Sequence, residues 1–329
     1  MTLRSWARGW GGLALVSALL VVLCVISIGL GASEFSFGAL LGGPDAARTW
    51  KLLLVSRVPR TLALLLAGMS LAVAGLIIQM LVRNRFVEPA TAGTLESATL
   101  GILVVTLLMP GIPMIGKMLV ATVFALAGTL LFLALLRRVP LRTPFIVPLI
   151  GLVLGGVISA ATTFVAYRYD LLQSLHAWTV ADFSSVLRGR YELLWIGFAL
   201  TAVAWLAADR YTVAGMGRAF ASNLGLNHAR LTLGGLLIVS AISAMTVVTA
   251  GSIPFLGLIV PNAVSLLMGD NLRRAIPWVA VLGGGFVLAC DIIGRLVLYP
   301  YEVPIGTVVG VIGSALFLCL LRSRKARLG

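Results

Sequence analysis

From Thr61 to Val82 the chain runs twenty-two residues without a charged side chain, TLALLLAGMSLAVAGLIIQMLV, and arginines stand at both ends of the run. At about 1.5 Å of rise per residue such a helix matches a hydrocarbon core of roughly 30 Å. Arg57 and Arg60 flank Pro59 on one side, and Arg83 and Arg85 follow on the other. Arginines at helix ends reach the headgroups and fix the depth of a span. Gly68 and Gly75 suit close contact with neighbouring helices, and Gln79 needs a partner inside the protein. The run predicts a transmembrane helix packed at the centre of a bundle.

Composition extends that reading to the whole chain. Of 329 residues 60% are hydrophobic and 11% are charged, against about a quarter charged in soluble domains. A chain in lipid must be helical or a closed barrel. The apolar runs approach twenty residues and lack period-two alternation, so the expected fold is an all-α polytopic membrane protein. Its bundle of about ten transmembrane helices is expected near 11–31, 59–82, 92–109, 115–136, 144–166, 191–208, 231–250, 254–268, 276–296 and 304–321. The run Leu13–Leu30 after Arg4 and Arg8 is longer than a cleavable signal core and reads as a retained first helix. Pro254, Pro261, Gly251 and Gly257 make the eighth helix short, bent or preceded by a half-helix. One transmembrane domain over residues 1–329 is expected.

A net charge of +14 invites a nucleic-acid partner, but the positive charges cluster at the ends of apolar runs, which is how membrane orientation is written. With the N-terminus inside, sixteen of the twenty-five Lys and Arg residues fall on inner segments and nine on outer ones. Both termini are therefore expected in the cytoplasm. Cys24, Cys290 and Cys319 all lie in apolar runs, without disulfide or metal spacing.

Chemistry-bearing patterns are sparse. Gly111-Ile-Pro-Met-Ile-Gly116-Lys117 has the spacing of a phosphate loop, but Met118 stands where a Mg²⁺-binding hydroxyl belongs and no strand precedes it. His176 and His228 lack acids or cysteines at ligand spacing. No metal, cofactor or enzymatic centre is expected. Asp291 and Arg295 sit four apart, on one face of the ninth helix. This pair either fixes the helix or leaves Arg295 facing out at the mouth of a pathway.

Gly151 with Gly155, and Gly306 with Gly310, have the spacing that lets helices approach closely. Gly155, Gly156, Ser159, Thr162 and Thr163 make a small, hydroxyl-bearing strip on the fifth helix. Such a strip lines a wet conduit or simply packs. The outer segment 167–190 carries Leu171, Leu172, Leu175, Trp178 and Phe183 at roughly helical spacing, and an interfacial helix is expected there. The inner segment 209–230 holds Gly215, Gly217 and Gly225 around the short amphipathic stretch Arg218–Leu224. A compact helix pair there suits a docking knob for a soluble partner.

Several stretches together resemble the permease subunits of ABC importers for iron–siderophore complexes, haem and cobalamin. They are Arg57-Val-Pro-Arg60, Arg83-Asn-Arg-Phe-Val-Glu-Pro89, Leu224-Gly225, Gly251-Ser-Ile-Pro-Phe-Leu-Gly-Leu-Ile-Val-Pro261, Asp291–Arg295 and Val303-Pro-Ile-Gly306. They keep the family's order from about residue 50 to 321.

The resemblance implies a multi-pass protein of the bacterial inner membrane that pairs with a second permease subunit, a copy or a relative. Two cytoplasmic ATPase subunits would supply the energy, and a periplasmic or lipid-anchored binding protein would deliver the cargo. Arg57, Arg60 and Arg295 are similar to the outer arginines that meet acids on that binding protein. The coupling segment, with Gly215, Gly217, Arg218, Ala221, Leu224 and Gly225, is similar to the part seated in the ATPase groove. The path is implied at the dimer interface, bordered by the fifth helix and the turn containing Leu141 and Thr143.

Two departures from the family pattern, Asn262 with Ser265 and the stretch Ala90–Glu96, resemble the branch for ferric siderophores, catecholate types above all. Haem or cobalamin is the alternative cargo. An ion-coupled carrier is the rival mechanism. It calls for carboxylates near mid-membrane, and Asp291 is the one candidate read from the sequence.

Overall fold

Proline at the second helical position, a long apolar run and a left-handed arginine together define the central rod of the molecule. The structure is a computed structural model, and it describes residues 10–30, 46–139, 145–269 and 271–322. Among these, every regular element is helical. In chain order they begin with α1 (Trp10–Gly29), α2 (Ala46–Leu52) and α3 (Val58–Val82), then α4 (Thr94–Leu108) and α5 (Met114–Leu136). Next come α6 (Ile146–Arg168), α7 (Leu172–Thr179), α8 (Leu193–Leu206), α9 (Ala208–Gly215) and α10 (Arg218–Asn223). The chain closes with α11 (His228–Ala250), α12 (Leu256–Met268), α13 (Leu272–Val297) and α14 (Ile305–Arg322).

α2 runs into α3 through a π-helical turn, Leu53–Arg57, so residues 46–82 form one continuous path. Of its most apolar window 83% is buried, against 17% for α1 and 22% for α6. α3 is therefore the core, and α1 and α6 lie on the periphery. Small residues make this possible: a Cβ on Gly68 would stand 2.7 Å from the Gly283 carbonyl oxygen of α13. A Cβ on Gly75 would stand 2.2 Å from the Gly257 carbonyl oxygen of α12. Gln79 finds its partner at the same place, donating from Nε2 to the Gly257 carbonyl at 3.0 Å. α3 ends where Arg83 turns left-handed at φ 56°. The Arg83 N–H then bonds Met80 O and the Asn84 N–H bonds Gln79 O, the paired bonds that close a helix C-terminus.

Among the described residues six helices are long and apolar enough to cross a membrane, and a seventh is formed if α8 and α9, bent by 67°, count as one span. About ten spanning helices were expected, the eighth of them short. α12 is short as expected, and the rest of the difference lies in α4 and the apolar part of α14, Ile305–Leu320, which are also shorter. α4 and α12 are short because irregular chain precedes them inside the protein. Val87, Glu88 and Ile253 in those connections are all buried. Irregular backbone at such depth is tolerated where protein surrounds it. Phe255, at φ 61°, turns the chain into α12, a conformation costly for a non-glycine residue. The Glu88 carboxylate accepts the Phe255 N–H at 3.0 Å and so holds that turn.

The segment after α7 is clamped between two helices. The Asp182 N–H donates to Ala250 O at 2.8 Å, and the Gly306 N–H donates to Ala181 O at 3.0 Å. The small-residue spacings separate accordingly. Gly151 and Gly306 abut backbone, whereas a Cβ on Gly310 would meet nothing within 4 Å. The segment 209–215 is helical as α9 and not part of a connector, and the helix that reaches Arg230 is the first turn of α11. Asn227 caps that turn, its side chain accepting the Arg230 N–H at 3.1 Å.

Candidate functional site

One end of the bundle is organised by charge. The π-helical turn carries Arg57 inward, where its Nη1 donates to Ile28 O and Gly29 O, each at 2.9 Å. Arg295 of α13 donates from Nη1 to Ser27 O at 3.0 Å and Leu30 O at 3.1 Å. Two guanidinium groups thus satisfy the last carbonyls of α1, which no intrahelical donor reaches, and place positive charge at the negative end of its dipole. Asp291 pairs with Arg295 on its own helix and with Arg60 of α3 at 2.7 Å. Arg60 also reaches Glu302 at 2.7 Å. Among the described residues the cluster holds three arginines and two carboxylates. Nε of Arg60 and Nε of Arg295 are buried without a hydrogen-bond partner among the described residues.

The opposite end is articulated by glycine. Gly215 lies against Met80, and Gly217, at φ +114°, brings its backbone to Arg83, whose Nη1 would stand 3.2 Å from a Cβ there. Gly225, at φ +74°, closes α10. The Leu226 N–H bonds Ala221 O and the Gly225 N–H bonds Ser222 O. Ala221 is buried beneath the turn, while Met216, Phe220 and Leu224 are exposed. Arg218 and Arg230 are exposed beside them. The surface combines apolar side chains with positive charge.

Between the ends lies a cavity of about 550 Å³. Leu95, Glu96 and Thr99 of α4 form one wall, and Ser159, Thr162 and Thr163 of α6 another. Leu172, Leu175, His176 and Thr179 of α7 close it, with Ser252 from the irregular segment before α12. Gly155 lets Glu96 approach α6: a Cβ there would stand 3.3 Å from the Glu96 Cδ.

The FecCD transport family matches residues 19–323. The chain belongs to that family. It is 46% identical over 309 residues to the petrobactin import system permease protein YclN of Bacillus subtilis, a match covering 94% of this chain and 97% of the relative. It is 42% identical over 305 residues to the ferric-anguibactin transport system permease protein FatD of Vibrio anguillarum, covering 92% and 96%. A solved structure described as an inward-facing conformation of a metal-chelate type ABC transporter superposes with a TM-score of 0.79 at 24% identity, covering 94% of this chain and 98% of that one. At that identity the likeness is one of fold.

Within this FecCD-family chain the arginines singled out by sequence do converge, with Arg60, Asp291 and Arg295 in one network and Arg57 on the same helix end. Arg57 and Arg295 point inward, however, 8% and 6% exposed, because the end of α1 supplies acceptors that sequence could not place beside them. Ser159, Thr162 and Thr163 gather at the cavity, Gly155 supports Glu96 next to it, and Gly156 faces open space. Leu141 and Thr143 lie outside the described residues.

The sequence offered Asp291 as the one candidate acid at depth and left Glu88 and Glu96 in the interior unnoticed. Both stand where a helix starts. The helix they precede or begin simply starts deep in the bundle, and the cue was the proline- and glycine-bearing stretch Glu88–Gly93. Asn262, read as a departure from the family pattern, bridges two elements by donating to Arg85 O at 2.8 Å and Leu258 O at 2.7 Å.

Proposed function

We propose that this chain is the permease of an ABC importer that carries a ferric siderophore across the bacterial inner membrane. The observation that carries this reading is near-full-length similarity, at 46% and 42% identity, to permeases named for petrobactin import and ferric-anguibactin transport. In this reading the ten apolar helices all cross or enter the bilayer, the three short ones as partial spans joined to buried loops. Both termini lie in the cytoplasm. The chain pairs with a second permease subunit, and segment 209–230 docks on a cytoplasmic ATPase. The exposed apolar and basic face of α10 supports that assignment, since a soluble partner's groove would bury it. The segment 167–190 lies at the outer face.

The arginine end then faces the periplasm, where a binding protein bearing acidic residues docks. Arg57, Arg60 and Arg295 serve that docking by partner exchange. An incoming carboxylate takes up donors now shared with α1 and Asp291, and the positive charge of the arginines attracts it before contact. The path runs beside Gly155, Ser159, Thr162 and Thr163 of α6 toward the turn at Leu141 and Thr143. Power comes from ATP-driven closure of the partner subunits, which exchanges outward- and inward-facing packings of the bundle.

Interior Glu88 and Glu96 are the groups that an ion-coupled carrier would use, so the deciding experiment must separate the two energy sources. The complex with ATPase and binding protein, reconstituted in liposomes, is expected to accumulate a ferric siderophore with ATP and to stop without it. Accumulation by the permease alone, driven by a proton or Na⁺ gradient, overturns the reading.

A further inference from the structure

The cavity beside α4 has leucines in its lining, and its polar part is a glutamate, two serines, a histidine and four threonines. Thr99 and Thr162 donate their hydroxyl protons to Leu95 O at 3.0 Å and Ile158 O at 2.7 Å. Thr163 and Thr179 do the same to Ser159 O at 2.8 Å and Leu175 O at 3.1 Å. A hydroxyl that has spent its proton on a backbone carbonyl offers only lone pairs to anything else. Four threonines therefore present oxygen acceptors to one space, and among the described residues no lysine or arginine lines it.

Glu96 supplies the charge. Its Oε2 is buried and has no partner among the described residues, while the carboxyl's other bond is to its own backbone N–H at the start of α4. Gly155 holds this oxygen in place from the α6 side, 3.4 Å from where a Cβ would sit. A carboxylate shielded from water and left half-satisfied is costly, and the cost is removed when a ligand brings a positive charge and several donors together. A carboxylate- or phosphate-bearing group would be repelled by the same wall.

We propose that this cavity is a cargo subsite that binds a protonated amine carried on the ferric chelate. The inference rests on the importer reading above for the word cargo, and on the lining alone for the ammonium. The test uses the reconstituted complex and two synthetic ferric chelates of matched size, one with a primary amine and one with that amine acetylated. The preference for the amine form, as a ratio of kcat/KM values, is compared between wild type and Glu96→Gln. The binding protein's own preference is common to both and cancels.

The ratio is expected to fall at least tenfold in Glu96→Gln, and Gly155→Ala, which crowds the carboxyl, to lower it partway. A ratio unchanged within twofold in both variants overturns the subsite. Equilibrium dialysis of hexylammonium against the purified permease gives a readout independent of transport. Affinity is expected to drop at least tenfold in Glu96→Gln, and equal affinity again overturns the subsite. If wild type moves neither chelate, the importer reading fails, and the dialysis result alone decides the ammonium site.

Discussion

The two ends of this permease handle charge and exposure in opposite ways. At the arginine end, four ionised side chains form one network with Arg57 beside it, and Arg57 and Arg295 are spent on the last turn of α1. At the glycine end, the ion pair of Arg273 with Asp209 is exposed to more than half on both partners, and Phe220 and Leu224 stand free of the protein's own core. A buried ionic network tolerates few arrangements, because any group that moves leaves another unpaired in a poor solvent. An exposed apolar turn hinged on left-handed glycines tolerates many. One end holds α1, α3 and α13 in register, and the other is free to follow a partner.

The largest effect that would break this comparison is at Asp291. It is 3% exposed and serves two guanidinium groups. Among the described residues Asp291→Ala leaves Arg60 with Glu302, and Arg295 with the Ser27 and Leu30 carbonyls and the Ser27 hydroxyl. Removing one partner of a buried pair costs about 3–5 kcal/mol. Thermal unfolding of the purified protein in detergent is expected to show that loss. Arg295→Ala should cost less, since Arg60 still holds Asp291. If the two variants are equally unstable, the network is not organised around the aspartate.

The arginine end also shows where sequence stops being informative. The pairing of Asp291 with Arg295 is local, fixed by the pitch of one helix, and is legible from spacing. That Arg57 and Arg295 both terminate α1 is a long-range fact, linking residues from 28 to 268 positions apart, and nothing in either segment announces it. Likewise Gly75 declared close approach, but not that its neighbour would be Gly257. The apolar runs were legible because hydropathy is a property of each run alone, and the prolines and glycines around α12 announced that it is short. The shortness of α4 was less legible, since the buried loop before it depends on what surrounds it. Glu96 was the most consequential omission: its depth follows from the late start of α4, which composition does not encode.

A smaller effect sharpens the comparison at the glycine end. Gly225 adopts φ +74° to close α10, and a Cβ there meets nothing within 4 Å, so the cost of substitution is conformational and not steric. Gly225→Val is expected to destabilise the turn by about 1–2 kcal/mol. The turn lies outside the core, so the global unfolding midpoint should barely shift. Hydrogen exchange should instead show faster opening confined to residues 218–227, and ATP hydrolysis by the assembled complex should no longer depend on cargo. Loss of protection spreading into α3 would mean that the two ends are not mechanically separate.

The smallest effect on stability is expected from the exposed pair itself. Phe220, 47% exposed, and Leu224, 58% exposed, lie on the outer face of α10, and serine at either position removes surface that the isolated chain leaves in water. Surface changes of this kind stay within about 0.5 kcal/mol. An apolar side chain in the centre of a docked interface, by contrast, contributes more than 1 kcal/mol to association when it is an anchor. Phe220→Ser with Leu224→Ser should therefore leave the melting temperature of the purified permease unchanged while lowering the yield of ATPase subunits that co-purify with it. Normal co-purification from the double variant would remove α10 from the docking surface. The glycine-rich turn would then be explained by chain reversal alone, and the contrast between a locked end and a following end would rest on the ionic network by itself.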